Sequence, residues 1–156
     1  MKSEQELSRV WDLYSGTIKR LAMVYLKNPQ DTEDVFQNVF LKFSLLDKDF
    51  ETPEHERAWF VRVTVNQCKD FLKNFFRSKT VPLDILEDIP ALSREKTDVL
   101  KTVLSLPEKY REVIYLFYYE DYQAKEIGKI LGKNTNTIFT LLKRGRDILK
   151  KKLEEL

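Results

Sequence analysis

Apolar residues recur at three- and four-residue spacing through most of this 156-residue chain, which is the spacing of one face of an α-helix. The first such stripe starts at Leu7 and ends before Pro29, and Ser15-Gly16 is the expected place for any break in it. A second stripe follows Pro29, and its first turn carries acids, which the helix dipole favours there. A third follows a polar loop and runs through Phe76. The N-terminal half is therefore predicted to contain three helices.

The helical pattern fails between Arg77 and about Lys96, where Pro82 and Pro90 interrupt short apolar pieces. Three acids make this stretch negative, namely Asp84, Glu87 and Asp88. A polar, proline-interrupted segment between periodic segments is typical of a linker between domains. We therefore predict a flexible acidic linker over residues 77–97.

Helical spacing returns at Val99 and continues to the end of the chain. Pro107 stands where the first turn of a helix tolerates proline, since an N–H in that turn needs no partner within the helix. Asp121 is predicted to cap a short helix that ends at Leu131. The chain is therefore predicted to be all-α, with two small helical domains joined by a flexible linker. These domains would span residues 1–76 and 98–156.

The end of the chain matches the helix-turn-helix pattern, with a short helix, a turn containing Gly132 and a longer helix from about Thr135. Gly128 would let the two helices cross closely, and four apolar side chains would fill the angle between them: Ile127, Leu131, Ile138 and Leu142. The first residues of such a second helix meet base edges, and basic residues further along meet phosphates. The candidate DNA-binding residues are Asn134, Thr135, Asn136, Phe139, Thr140, Lys143, Arg144 and Arg146. A plain helical hairpin with a solvated basic end would show the same spacing.

Charge is unevenly distributed, although the net charge of +2 does not by itself indicate a nucleic-acid partner. Residues 31–56 hold eight acids and two lysines, whereas residues 57–79 hold six basic residues and one acid. Residues 143–152 again hold six basic residues and one acid. One basic cluster is usually a solvated helix face. Two basic helices beside acidic segments favour contact with DNA.

The inventory of reactive side chains does not favour an enzyme. Cys68 is the one cysteine and His55 the one histidine, so no disulfide, metal site or nucleophile with a base is expected. The chain also has no glycine-rich phosphate loop. We predict no catalytic residue, no metal and no cofactor. The polar first residues and the lack of a long apolar segment predict a cytoplasmic protein without membrane insertion.

Two parts of the chain resemble the extracytoplasmic-function group of bacterial sigma-70-type sigma factors. The C-terminal part is the run LPEKYREVIYLFYYEDYQAKEIGKILGKNTNTIFTLLKRGRDIL, and the N-terminal part is the pair DTEDVFQNVFLKF and AWFVRVTVNQCKDFLKN. The resemblance implies a sigma factor that directs core RNA polymerase to promoters and assists strand opening. Core polymerase, through its β′ clamp helices and β flap, and promoter DNA would be the partners. An anti-sigma factor is a further partner that the resemblance allows.

The resemblance also implies a role for each segment. Residues 1–76 would bind core polymerase and melt the minus-ten element, and residues 98–156 would bind the upstream element. The polymerase-binding residues would be Asp31, Glu33, Asp34, Gln37 and Asn38, because exposed carboxylates and amides suit arginine forks. The minus-ten residues would be Phe50, Arg62, Asn66, Lys69 and Lys73, which offer a ring, an amide and cations to an unstacked strand. The recognition helix has Thr140-Leu141 where the family often has Ser-Arg, so one expected arginine contact is absent.

Two other functions remain open at this point. A stand-alone helix-turn-helix regulator would bind an operator unaided, with a dimer interface matched to the half-site spacing. An interaction protein could instead occupy the polymerase clamp without reading DNA, and Asn66 and the recognition helix would then be dispensable.

Overall fold

The computed structural model describes residues 1–75 and 94–155, and every regular element within them is an α-helix. The predicted all-α class is therefore confirmed. None of the helices in these two ranges is both long and apolar enough to cross a membrane. The chain forms two compact units, the first with three helices and the second with four. The helices are α1 (Glu4–Leu26), α2 (Pro29–Ser44), α3 (Pro53–Phe75), α4 (Arg94–Leu104), α5 (Glu108–Tyr118), α6 (Ala124–Leu131) and α7 (Thr135–Glu154).

Helix α1 is continuous through Ser15-Gly16, the place where the sequence allowed a break. Its first turn is fixed by a capping box, in which the Ser3 hydroxyl and the Glu6 side chain each accept a hydrogen bond from the backbone of the other residue. Tyr14, two residues before the glycine, and Thr17, Ile18 and Leu21 after it are buried. Burial of this stripe outweighs the cost of about 1 kcal/mol that an internal glycine carries.

The first unit is a three-helix core in which α1 contacts both α2 and α3. Asn28 caps α2, because its side-chain oxygen accepts the backbone N–H groups of Gln30 and Asp31. The Phe60 ring stacks on Tyr14 at 4.6 Å between centroids and lies 5.1 Å from the ring of Phe43. These aromatic contacts join all three helices at one point.

In the second unit, α7 packs against α4, α5 and α6. Helix α4 begins at Arg94, so residues 94–97, which were assigned to the linker, are helical. Pro107 is the N-cap of α5 and not a residue of its first turn. The rest of the predicted linker, residues 77–93, lies outside the described residues.

The cap predicted for α6 is wrong. Gln123 occupies the N-cap position and forms a capping box with Glu126, whereas Asp121 has a left-handed backbone with φ of 60°. The chain turns sharply between α5 and α6, and this turn uses Asp121 as a corner residue. Aspartate is among the few non-glycine residues that adopt this conformation with modest strain.

The helix-turn-helix geometry is present between α6 and α7. Gly132 is left-handed with φ of 68° and ends α6, and the Asn134 side chain accepts the N–H of Thr137 to begin α7. A Cβ atom on Gly128 would lie 2.5 Å from the Lys133 carbonyl oxygen, so this glycine makes room for the turn itself. Of the four predicted interhelical residues, Leu131 is only half-buried, and Ile130 is buried in its place.

Candidate functional sites

One face of α2 displays polar side chains in a continuous stripe. Glu33, Asp34, Gln37 and Asn38 are exposed, while Asp31 in the first turn is half-buried. The carboxylate of Glu33 lies 3.2 Å from the Lys19 ammonium group, which reaches it from α1. The structure therefore presents four of the five predicted polymerase-binding residues on one surface, with Asp31 at its edge.

The same stripe continues into two exposed leucines that the sequence reasoning missed. Leu41 is 55% exposed and Leu45 is 59% exposed. They follow Gln37 at four-residue intervals, so all three share one side of the helix. The sequence could have indicated their exposure, because neither leucine lies on the helical stripe of Val35, Val39 and Phe43, which is buried. We call the exposed residues Glu33, Asp34, Gln37, Asn38, Leu41 and Leu45 the α2 face.

Four of the five residues predicted to read the minus-ten element lie on α3, and Phe50 lies in the loop before it. Two cavities border these residues. The first has a volume of about 480 Å³ and is lined by Asn66, Lys69 and Lys73 together with Val63, Gln67 and Asp70. Lys42 enters from α2 and adds a third ammonium group, which the sequence reasoning missed. We call this the lysine cavity. It brings two amides, three ammonium groups and one carboxylate to a single concave surface.

The second cavity lies at the start of α3 and has a volume of about 410 Å³. Phe50 and Arg62 line it, so the five predicted minus-ten residues are divided between the two cavities. The rings of Phe50 and Trp59 are 5.9 Å apart between centroids. We call this the Phe50 cavity. Its complete lining is Lys48, Asp49, Phe50, Glu51, His55, Ala58, Trp59 and Arg62.

Trp59 belongs both to the core and to the Phe50 cavity. Its ring meets Phe60 edge-on at 4.9 Å and Phe43 at 6.1 Å between centroids. Another part of the side chain remains accessible, since the residue is half-buried. The core therefore fixes the orientation of an indole that also lines the cavity.

A buried carboxylate fixes the first turn of α3 against α1. Both terminal nitrogens of Arg9 donate to Glu56 at 2.8 Å, and the Tyr14 hydroxyl donates to the same carboxylate at 2.8 Å. The hydrogen bonds from Arg9 hold the pKa of Glu56 below its ordinary value. Burial, helped by the adjacent carboxylate, raises the pKa of Tyr14 to about 12. Sequence reasoning had no signal for this cluster, because Glu56 is more than forty residues from both Arg9 and Tyr14.

The exposed side of α7 carries most of the residues predicted to contact DNA through the helix-turn-helix. Asn136, Thr140, Lys143 and Arg144 are exposed, and so is the Phe139 ring, at 57%. Thr135 is half-buried. The side-chain oxygen of Asn134 is engaged in capping α7 at 2.8 Å. The structure therefore gathers a polar and cationic surface at the start and middle of this helix.

Arg146 is placed differently from the other predicted residues of α7. Its guanidinium donates to the Tyr118 hydroxyl at 3.2 Å, on the side of the helix that faces α5. This side borders an apolar groove of about 960 Å³, which the sequence reasoning missed. The groove is lined by Val99, Val103, Ile114, Tyr118, Tyr119, Asp121, Arg146, Leu149, Lys150, Leu153 and Glu154.

Comparison with known proteins identifies both halves of the chain. The family model of sigma-70 region 2 matches residues 10–75, and that of sigma-70 region 4 matches residues 96–149. RNA polymerase sigma factor SigV of Bacillus subtilis (strain 168) is 32% identical over 137 residues, covering 84% of this chain and 81% of that relative. The chain belongs to the extracytoplasmic-function group of sigma-70-type sigma factors. The resemblance predicted from the sequence is confirmed.

Other relatives and structures agree with this assignment. ECF RNA polymerase sigma factor SigW of the same organism is 26% identical over 174 residues, covering 99% of this sigma factor and 93% of the relative. The fold is similar to that of the sigma factor RpoE in complex with the anti-sigma factor NepR from Bartonella quintana, with a TM-score of 0.76 and 18% identity over 96% and 98% of the chains. It is also similar to CnrH in complex with the cytosolic domain of CnrY, with a TM-score of 0.71 and 20% identity over 98% and 90% of the chains.

Membership of this family establishes what the sigma factor does. It directs RNA polymerase to promoters, and core RNA polymerase and promoter DNA are its partners, as predicted. A stand-alone helix-turn-helix regulator would leave the region 2 match over residues 10–75 unexplained.

Proposed function

We propose that this sigma factor divides promoter recognition between its two units. Helices α1 to α3 bind core polymerase and hold the opened minus-ten element, and helices α4 to α7 bind the upstream element. The observation that carries the proposal is the pair of cavities along α3. They combine an amide, aromatic rings and cations, which are the groups that hold an unstacked strand.

The α2 face is the proposed surface for the β′ clamp helices. Its carboxylates can accept paired hydrogen bonds from arginine side chains, and its amides can fix the register of a partner helix. Leu41 and Leu45 supply apolar area beside these polar groups. An apolar centre with a polar rim is the usual composition of a protein interface.

In the lysine cavity, we assign Asn66 to base reading and the lysines to the phosphate backbone. An amide presents one donor and one acceptor group in fixed geometry, which matches a base edge, whereas an ammonium group is a point charge. The Phe50 cavity is the proposed place for a base that leaves the stack. Phe50 and Trp59 supply aromatic surface there, and Arg62 supplies charge at the rim.

In the second unit, the start of α7 is the proposed reader of the upstream element. Asn136 and Thr140 would meet base edges, and Lys143 and Arg144 would meet phosphates. Arg146 would contact DNA only from the flank of the helix, because Tyr118 holds its guanidinium. The apolar groove beside it is the proposed docking site for the polymerase β flap.

Three further assignments rest on family membership. The solved relatives RpoE and CnrH are bound to an anti-sigma factor and to the cytosolic domain of CnrY, respectively. We propose that this chain is likewise held inactive by an anti-sigma factor. It acts in the cytoplasm, where core polymerase is found, and it has no catalytic activity of its own.

The proposal is tested by measuring the rate of promoter opening with the reconstituted holoenzyme. Fluorescent bases report the opening, on a set of promoters that vary through the minus-ten element. Asn66→Ala should flatten the dependence on one base, a change of about 1 to 3 kcal/mol in discrimination. Lys69→Ala and Lys73→Ala should each reduce the salt slope by about one unit and preserve the ranking of promoters. Asn74→Ala is the matched control, because it removes an exposed amide from α3 outside both cavities. An unchanged promoter ranking in Asn66→Ala would remove the base-reading role of this residue.

A further inference from the structure

The loop between α2 and α3 carries Phe50 and three other residues that line the Phe50 cavity. It has no helical structure of its own over residues 46–50. Its beginning continues from α2 through a hydrogen bond from the Leu46 N–H to the Phe43 carbonyl, at 3.0 Å. At its end, Thr52 accepts the N–H of His55 in its side-chain oxygen at 3.1 Å. Between these points, contacts from elsewhere in the chain must fix the position of Phe50.

Lys2 supplies several of these contacts. The others include the ring contact between Phe50 and Trp59 and the hydrogen bond from the Met1 amino group to Asp47. The ammonium group of Lys2 donates to the Lys48 carbonyl at 2.8 Å and lies 3.4 Å from a carboxylate oxygen of Asp49. Its backbone N–H donates to the Ser44 carbonyl at 3.0 Å. The ammonium group also lies 5.2 Å from the centroid of the Phe43 ring. One residue therefore contacts the end of α2 and the two loop residues directly before Phe50.

The burial of this lysine is unusual. Its side chain is only 7% exposed, whereas lysine is almost never buried unless its charge is paired. The Lys48 carbonyl oxygen, the carboxylates of Asp49 and Glu6 and the Phe43 ring together replace the water that the ammonium group has lost. Release of the loop would leave this buried ammonium group with the Glu6 carboxylate, at 3.7 Å, as its remaining charged partner, so the burial of Lys2 favours the ordered loop.

A second anchor lies on the other side of Phe50. The Glu56 carboxylate is bound by Arg9 and Tyr14, so the first turn of α3 is tied to α1. Lys2 and Arg9 both come from the beginning of the chain, and they restrain the two sides of the loop. The segment that contains Phe50 is thus held on one side by Lys2 and on the other by Arg9, both near the beginning of the chain.

We infer that Lys2 is a positioning residue for promoter opening, which holds the loop so that the Phe50 cavity exists before DNA arrives. This inference rests on the proposed role of that cavity in receiving an unstacked base. A loop that is already ordered loses less conformational entropy when the strand binds. A residue just before α1 would therefore influence the rate of strand opening through the loop that it holds.

The test compares Lys2→Met, which keeps the length of the side chain and removes its charge, with Lys2→Arg, which keeps the cation and its donors. In the free protein, Lys2→Met should accelerate amide hydrogen exchange in residues 45–52 about tenfold and leave the buried amides of α1 to α3 unchanged. In the holoenzyme, it should slow promoter opening about tenfold at unchanged affinity for core polymerase, as expected for the loss of one charge-assisted hydrogen bond. Lys2→Arg should restore most of both properties. Arg20→Ala, which takes one exposed cation from α1, should change neither.

A double-mutant cycle with Phe50→Ala separates positioning from general stability. If Lys2 acts through the loop, Lys2→Met should have little further effect on opening once the ring of Phe50 is gone. The inference about Lys2 would be overturned if Phe50→Ala impaired opening but the effects of Lys2→Met and Phe50→Ala were additive. Unchanged hydrogen exchange in residues 45–52 of Lys2→Met would overturn it as well. If Phe50→Ala opened promoters like the wild type, the proposed role of the cavity would fail, and the inference would fail with it.

Discussion

Glu56 illustrates what one buried residue does for the first unit. Three hydrogen bonds converge on its carboxylate from Arg9 and Tyr14, and the residue is only 7% exposed. The ionised form is the one that these donors stabilise, so the pKa of Glu56 is lower in the folded state than in the unfolded state. Such a group contributes stability above its unfolded pKa and loses that contribution as the pH falls through the folded pKa.

We expect the first unit to lose stability on acidification, below the ordinary pKa of a glutamate. Glu56→Gln should lower the free energy of unfolding at neutral pH by about 1 to 3 kcal/mol, because the three charge-assisted hydrogen bonds to the carboxylate are weakened or lost. It should also reduce the dependence of stability on pH in the acidic range. Urea unfolding followed by circular dichroism between pH 3 and 7 measures both effects. Glu54→Gln, an exposed neighbour in the same helical turn, serves as the control and should change neither.

Two glycines of the second unit allow the effect of helix propensity on stability to be distinguished from the effect of packing. A Cβ on Gly128 would lie 2.5 Å from a backbone carbonyl of the turn, which cannot yield without moving the turn. A Cβ on Gly145 would lie 3.1 Å from a side-chain atom of Ile114, which can shift by a rotamer adjustment. Both glycines are in helices, where alanine is favoured by about 1 kcal/mol.

Gly128→Ala should therefore destabilise the second unit by about 2 kcal/mol or more, since the overlap with the turn exceeds the gain in propensity. Gly145→Ala should change stability by less than about 1 kcal/mol, because the same gain is offset by a mild overlap with Ile114. Thermal unfolding of the two variants in parallel is the measurement. Equal stability of the two variants would contradict the close approach of the turn to Gly128.

At the scale of elements, α2 shows how a helix can serve the core and a partner at once. Val35, Val39 and Phe43 are buried against α1 and α3, which fixes the rotation of the helix about its axis. The α2 face then points outward in a defined orientation, without contributing to the core. Substitutions on this face should affect binding to polymerase with little change in folding.

The double variant Asp34→Arg, Gln37→Ala should weaken association with core polymerase by about 2 kcal/mol, or roughly thirtyfold, if arginine side chains face this helix. Like charges would then meet across the contact. Fluorescence anisotropy of the labelled sigma factor with core enzyme measures the affinity. Asp12→Arg, an equivalent charge reversal on the exposed side of α1, should bind core enzyme as the wild type does. Equal binding by both variants would remove the α2 face as the polymerase surface.

At the scale of the whole molecule, each compact unit has its own core and its own aromatic or apolar centre. Phe60 is completely buried in the first unit and Ile127 is completely buried in the second. The unit boundary falls between residues 82 and 83, which lie outside the described residues. Two separate cores are expected to unfold as two cooperative transitions.

Core truncations should therefore act on one transition at a time. Phe60→Ala should lower the stability of the first unit by about 3 to 5 kcal/mol, and Ile127→Ala that of the second by about 2 to 5 kcal/mol. Differential scanning calorimetry of the full chain should show one shifted and one unchanged transition in each variant. A common shift of both transitions would mean that the units unfold together.

The sequence by itself determined the helices, the helix-turn-helix and the resemblance that identified the family. These depend on local spacing, on turn residues such as Gly132 and on caps such as Asn134, which act within a few positions along the chain. The face of α2 also followed from periodicity, because its buried residues alternate with polar ones in a helical pattern. Local rules were less reliable for Asp121, where the turn demanded a left-handed residue and the cap moved to Gln123.

Only the tertiary structure decided how distant segments combine at the sites. The division of the minus-ten residues into two cavities, the entry of Lys42, the anchoring of the loop by Lys2 and the cluster around Glu56 all join residues from different helices or loops. The orientation of Arg146 toward Tyr118 likewise follows from the packing of α7 on α5. Such contacts leave no periodic trace in a single sequence, because they depend on how the helices pack around the shared cores and not on the spacing of residues within any one helix.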